Sequence, residues 1–195
     1  MNAVRLADIA RAEASGQYWT PQDLAPRMAH WAAPRGCWLE PSCGSGVLVG
    51  ALLQAGASSI VAIDTDDEMA LHCGELSSNV HAFAKDFLEF TPPANFDGCL
   101  MNPPDVKSSG RAHVLRALEL CPRVVVLHRT ALLHGQKNHA LIWSRHTLAR
   151  VAHLVRRPSF WGPAHKGQTA QTDWSVFDIL KGKHEHVSTT VEWWV

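Results

Sequence analysis

The sequence lacks the features that mark secreted, membrane-bound and metal-stapled proteins. Its five cysteines (Cys37, Cys43, Cys73, Cys99, Cys121) are odd in number and form no C-x-x-C pair, which excludes a disulfide framework and predicts reduced, mainly buried thiols. Histidines are plentiful, yet none of their close pairings has a companion at zinc-ligand spacing, so no metal site is expected. The first residues carry no basic-then-apolar signal pattern, and no apolar run approaches the roughly 18 residues that span a bilayer. A cytoplasmic protein is the expectation. Low-complexity tracts and internal repeats are also missing. With 46% apolar and 18% charged residues among 195, the chain can bury a core without a staple, and one domain over 1–195 is expected.

Charge of one sign is scarce in each half, although the net charge is zero. Residues 1–104 hold 5 Lys/Arg against 12 Asp/Glu, and residues 105–195 hold 13 against 6. The basic second half is the candidate footprint for a polyanion.

Strand-like runs occur at 37–40, 60–64, 80–84, 96–101, 124–128 and 151–156, separated by segments of helical spacing at 47–55, 66–76, 112–120 and 138–149. Strands alternating with helices predict an α/β architecture, a mainly parallel sheet covered on both faces. Two further runs, 174–180 and 187–194, are joined by a short connection, which predicts an antiparallel hairpin at a sheet edge. Before the first strand, Thr20-Pro21-Gln22-Asp23 reads as a capping box opening a helix that buries Leu24, Met28 and Trp31 and is bent by Pro26.

Trp38-Leu39-Glu40-Pro41-Ser42-Cys43-Gly44-Ser45-Gly46 is a strand running into a glycine-rich turn that opens a helix. Ligands of open α/β sheets bind beyond the carboxyl ends of the strands, so a cofactor is expected at this turn. A dinucleotide fingerprint fails because its third glycine would fall on Val49, and no Gly-Lys-Ser/Thr loop is present for phosphates. Asp64 ends the second strand, where a carboxylate can accept from ribose hydroxyls, and Asp86 follows the third, placed to accept from an adenine amino group. With Glu40 they form a series of acids at three successive strand ends. After the fourth strand comes Asn102-Pro103-Pro104.

These motifs, in this order, resemble the S-adenosylmethionine-dependent amino-methyltransferases of DNA, in particular adenine-N6 enzymes of gamma-type motif order from phage and bacteria. The quoted residues are the E-P-x-C-G-x-G loop at 40–46, Asp64, Asp86-Phe87-Leu88, Asn102-Pro103-Pro104, and an upstream Y-x-T-P at Tyr18-Trp19-Thr20-Pro21. The resemblance implies a Rossmann-like class I methyltransferase fold with a seven-stranded sheet and S-adenosylmethionine as cofactor. It assigns Tyr18, Thr20, Glu40 and Gly44 to the methionine end, Asp64 to the ribose, and Asp86 with Phe87 to the adenine, and it counts Pro41, Cys43 and Gly46 among the cofactor-binding residues. Asn102 would border both cofactor and acceptor.

An exocyclic amino group is a poor nucleophile, since its lone pair is delocalised into the ring. Acceptors at the Asn102 side-chain oxygen and the Pro103 carbonyl would favour a pyramidal nitrogen aimed at the methyl group, with proline fixing the backbone that presents them. The family follows N-P-P with an aromatic residue that stacks on the extruded base; Asp105 stands there instead. A substitute ring is expected from Phe160 or Trp161 in Arg156-Arg157-Pro158-Ser159-Phe160-Trp161-Gly162, which resembles a later family segment. Lys107, Arg111, Lys137, Arg156, Arg157 and Lys166 are candidate phosphate contacts. No separate target-recognition domain is expected, so sequence preference on DNA should be weak. Adenine in RNA, a protein glutamine amide, and a catalytically silent cofactor- or nucleic-acid-binding partner are the alternative readings.

Overall fold

The computed structural model describes residues 19–92, 95–105, 109–160 and 170–195. Tyr18, Lys107, Trp161 and Lys166 lie outside the described residues.

Eight strands, β1 (Cys37–Glu40), β2 (Ser59–Asp64), β3 (Val80–Ala84), β4 (Gly98–Met101), β5 (Arg123–Arg129), β6 (Thr147–Leu154), β7 (Trp174–Leu180) and β8 (Thr190–Trp194), form one sheet in the order β3-β2-β1-β4-β5-β7-β6-β8. β7 is antiparallel to both of its neighbours, and every other pairing is parallel. Helices α1 (Leu24–Ala32), α2 (Val47–Ala55), α3 (Asp67–Gly74) and α4 (Ser109–Leu120) cover the sheet.

Period-2 alternation in strands that are apolar on both sides builds two cores. In β5, Val125 and Leu127 join Met28, Ala29, Val49 and Leu52 of α1 and α2, while Val124 and Val126 join Val114, Ala117 and Leu118 of α4. The carboxyl ends of the parallel strands consequently share one edge, where residues 40, 64, 84, 101 and 129 terminate β1 to β5.

Five local expectations are corrected. Among the described residues the sheet has eight strands rather than seven, and its last two do not form a hairpin. β7 is buried on both faces along nearly its whole length, so it inserts between β5 and β6, where both of its hydrogen-bonding edges are paired. β8, mostly exposed, takes the remaining edge beside β6. The segment expected to be helical to Ala149 is a short turn of helix, Gln136–Asn138, followed by a π-turn, His139–Trp143, and β6 has begun by Thr147, which pairs with Leu180. Finally, α1 starts at Leu24 without a side-chain cap, and the Pro21 carbonyl accepts from the Leu24 and Ala25 amides at 3.1 Å. Pro26 falls in the first turn, where its missing N–H has no intrahelical acceptor in any case, so it demands no bend.

The other end of α1 is tied to the sheet. Buried Asp178 of β7 accepts from Arg123 Nε at 2.8 Å and Nη2 at 3.0 Å, and from Arg150 Nε at 2.8 Å. The same arginines donate onward to the Ala32 carbonyl at 2.7 Å and the Trp31 carbonyl at 2.8 Å, the last acceptors of the helix.

Candidate functional site

A cleft of about 290 Å³ opens at the carboxyl edge of the sheet. The turn after β1 forms its floor. Cys43 donates its amide to the Ile63 carbonyl at 2.8 Å and Gly44 donates to Asp64 Oδ2 at 2.8 Å, so the turn is bound to the end of β2. Gly44 and Gly46 both adopt left-handed backbone, with φ of 46° and 77°. They serve different needs. A Cβ on Gly46 would lie 2.7 Å from Leu76 Cδ1, so that glycine lets α2 approach the end of α3; a Cβ on Gly44 would meet nothing within 4 Å and borders the open cleft.

Glu40 is fully buried. Its Oε1 accepts from the Ser42 amide at 3.2 Å, whereas Oε2 has no hydrogen-bond partner among the described residues. Burial pushes this carboxyl well above the usual range, and nearby Cys73 and Asp64 push the same way against the Ser42 bond. Asp64 is braced on both oxygens, since Oδ1 also accepts from the Asp66 amide at 3.0 Å. Cys43 is a buried thiol raised by its hydrogen bond to Cys73 and by burial. It packs the turn and has no nucleophilic character.

Of the expected cofactor residues, Thr20, Glu40, Pro41, Cys43, Gly44, Asp64, Asp86, Phe87 and Asn102 line this cleft together, with Pro103 and Pro104. Gly46 does not. Asp86 is exposed, with Oδ1 accepting from the Leu88 amide at 2.8 Å. Phe87 is buried, its ring centroid 5.4 Å from that of His113. Burial lowers the His113 pKa; its Nδ1 donates to the Ser109 carbonyl at 3.0 Å, because a carbonyl only accepts. Asn102 is 6% exposed and projects from the end of β4.

Sequence reasoning missed Trp19, Ser42 and His113 as lining residues. Trp19 sits inside the Tyr18-Trp19-Thr20-Pro21 quartet, so its neighbours were the available signal; its buried indole Nε1 has no hydrogen-bond partner among the described residues. For His113, only the topology that lays the first turns of α4 over the N-P-P strand end reveals the role.

On the acceptor side, Phe160 is not the exposed platform expected. It is 2% exposed and packs on Trp174 with centroids 4.6 Å apart. Asp105 turns its carboxylate onto Arg129. Arg111 donates to Asn138, the residue after Lys137, at 3.2 Å. Arg156 is exposed beyond β6, and Arg157 donates to Asp173 at 3.1 Å. These cations therefore stand at the carboxyl ends of β5 and β6, along the edge that carries the cleft.

By sequence, no protein-family model and no curated protein matches the chain. By structure it is similar to a Pyrococcus horikoshii protein provisionally assigned as an RNA methyltransferase, with TM-score 0.72 and 20% identity over 86% of this chain and 87% of that one. It is similar to a dimethyladenosine transferase from Plasmodium falciparum, with TM-score 0.61 and 20% identity over 86% and 64%. It is also similar to the N-methyltransferase NodS from Bradyrhizobium japonicum in complex with S-adenosyl-L-homocysteine, with TM-score 0.61 and 13% identity over 83% and 86%. At such identities the likeness establishes the architecture: this chain has the Rossmann-like α/β fold of the methyltransferases.

Proposed function

We infer that the chain binds S-adenosylmethionine and methylates an exocyclic amino group of a nucleic-acid base, with adenine N6 in DNA as the first acceptor to test. The observation that carries this reading is the meeting of Asn102, Pro103 and Pro104 with Glu40, Gly44 and Asp64 around one cleft.

The cleft fits that cofactor on its own chemistry. A buried carboxylate with one unsatisfied oxygen calls for a cationic or N–H partner, and the methionine ammonium is one. The open face of Gly44 leaves room for a ligand against the backbone. When bound, the cofactor supplies an electrophilic methyl group. The residues of the chain do the rest: Glu40 and the turn hold the methionine end, Asp64 and Asp86 accept from the nucleoside, and Asn102 and the Pro103 carbonyl orient the acceptor nitrogen. RNA is the second reading, favoured by two of the similar structures, one provisionally assigned as an RNA methyltransferase and the other a dimethyladenosine transferase.

Parallel transfer of tritiated methyl to duplex DNA, structured RNA and protein is the test, with nucleoside analysis of the product. Label in N6-methyladenine is expected. Asn102→Ala should lower transfer by about a hundred-fold or more while cofactor affinity, measured by calorimetry, stays within a few-fold. Label only in protein, or cofactor binding without transfer to anything, would overturn the reading.

A further inference from the structure

Asp105 occupies the position of the stacking ring, and the structure gives it a specific partner. Arg129 directs both Nε and Nη2 to a single Asp105 oxygen, Oδ2, at 2.5 Å. This fixes one edge of the guanidinium, while the arginine side chain stays 43% exposed against 14% for the aspartate. The location matters as much as the bond. Pro104, the residue before Asp105, lines the cleft, and β4 lies beside β5 with Met101 opposite Val126, so the end of β5 runs alongside the N-P-P turn.

The turn is also backed. A Cβ on Gly110 would lie 2.7 Å from His128 Nε2 and 3.5 Å from the Pro104 carbonyl, so α4, the turn and His128 pack as one wall. Burial lowers the His128 pKa, which disfavours a second cation beside Asp105.

A guanidinium joined to a carboxylate adds no net charge, which makes the pair a poor phosphate anchor. What it offers is a flat, weakly hydrated face, and nucleobases stack on such faces. Phe87 and Phe160 are buried in the cores. We propose that Arg129, with its edge held by Asp105, is the platform on which the acceptor base stacks, in place of the ring that Asp105 displaces. The proposal rests on the nucleic-acid reading above.

The experiment measures kcat/KM for methyl transfer to the accepted nucleic acid across a salt series, together with thermal melts and cofactor calorimetry of each variant. Arg129→Gln should lower kcat/KM about 5- to 100-fold, the loss expected for one base-stacking face, with an unchanged salt slope. Arg129→Lys keeps the charge but has no plane, and should be equally impaired. The double variant Asp105→Tyr with Arg129→Gln should recover to within about three-fold of wild type, because a ring returns to the position. Full activity in Arg129→Lys, or a salt slope reduced by about one in Arg129→Gln, would make Arg129 a charge contact and overturn the proposal. So would a double variant as poor as the single one, or an unimpaired Arg129→Gln beside a failing Trp19→Leu, which would make the indole the platform. If wild type binds cofactor but labels no nucleic acid, the reading beneath falls and takes the proposal with it. That result is distinct from active wild type with indifferent Arg129.

Discussion

Glu40 holds one oxygen against the Ser42 amide and leaves the other buried and unsatisfied, so its charge is costly until a cation enters the cleft. Its carboxyl is raised above the ordinary value chiefly by burial, so the folded protein keeps this proton at pH values where the unfolded chain has lost it. The folded state then binds more protons, and stability declines as pH climbs from the unfolded-state value toward the raised folded one. Glu40→Gln removes that term. In the cofactor-free protein the variant should melt higher than wild type at neutral pH, with the difference vanishing below the unfolded carboxyl pKa, and it should bind S-adenosylmethionine at least about ten-fold more weakly. Thermal melts across pH with parallel calorimetry check both parts. A variant that melts lower at neutral pH, yet binds normally, would mean that the carboxylate is satisfied within the protein.

At the scale of elements, α1 matters because the chain leading into it carries Trp19 and Thr20 to the cleft. The helix has no side-chain cap at its start, and its last carbonyls are satisfied from the sheet by Arg123 and Arg150. Both arginines are aimed by one carboxylate, Asp178, from the inserted strand β7. Removing that acceptor strands two half-buried cations and releases the helix end. Asp178→Ala should therefore destabilise the protein by about 3 to 5 kcal/mol, or roughly 6 to 20 °C in Tm, whereas a surface ion pair such as Arg116 with Glu119 would cost under about 1 kcal/mol. Calorimetric unfolding measures it. A loss below 1 kcal/mol would show that Asp178 does not anchor the helix.

For the whole molecule, the uneven distribution of charge along the chain becomes spatial at β5 and β6, which end on the edge that bears the cleft. Lys137 with Arg111 stands beyond β5, and Arg156 beyond β6. Arg157 shares its charge with Asp173 in an exposed pair, so Arg156 should contribute more to phosphate binding. Replacing both Arg156 and Arg157 by Ala should weaken nucleic-acid binding about equally across unrelated sequences and flatten the dependence of log K on log salt by one to two units, as counterion release requires. Binding titrations at several salt concentrations decide it. A loss confined to one sequence would instead assign these arginines to base reading.

The sequence by itself determined what contiguous residues can dictate. The strand, glycine turn and helix over residues 37–55 are encoded by an apolar run, two left-handed glycines and helical spacing, and they form where that pattern places them. The gathering of Glu40, Asp64, Asp86 and Asn102 also followed, because successive parallel strands must end on one edge. Only the tertiary structure decided the pairings between distant segments. The placement of β7 depends on which open edge best satisfies a strand buried on both faces, and no local pattern of Trp174–Leu180 names that edge. Phe160 resembles a surface aromatic until Trp174 packs against it, and Asp105 looks like the loss of a ring until Arg129, 24 residues onward, meets it. Local propensity is set by neighbours along the chain; burial and charge pairing are set by neighbours in space, which exist only once the sheet has closed.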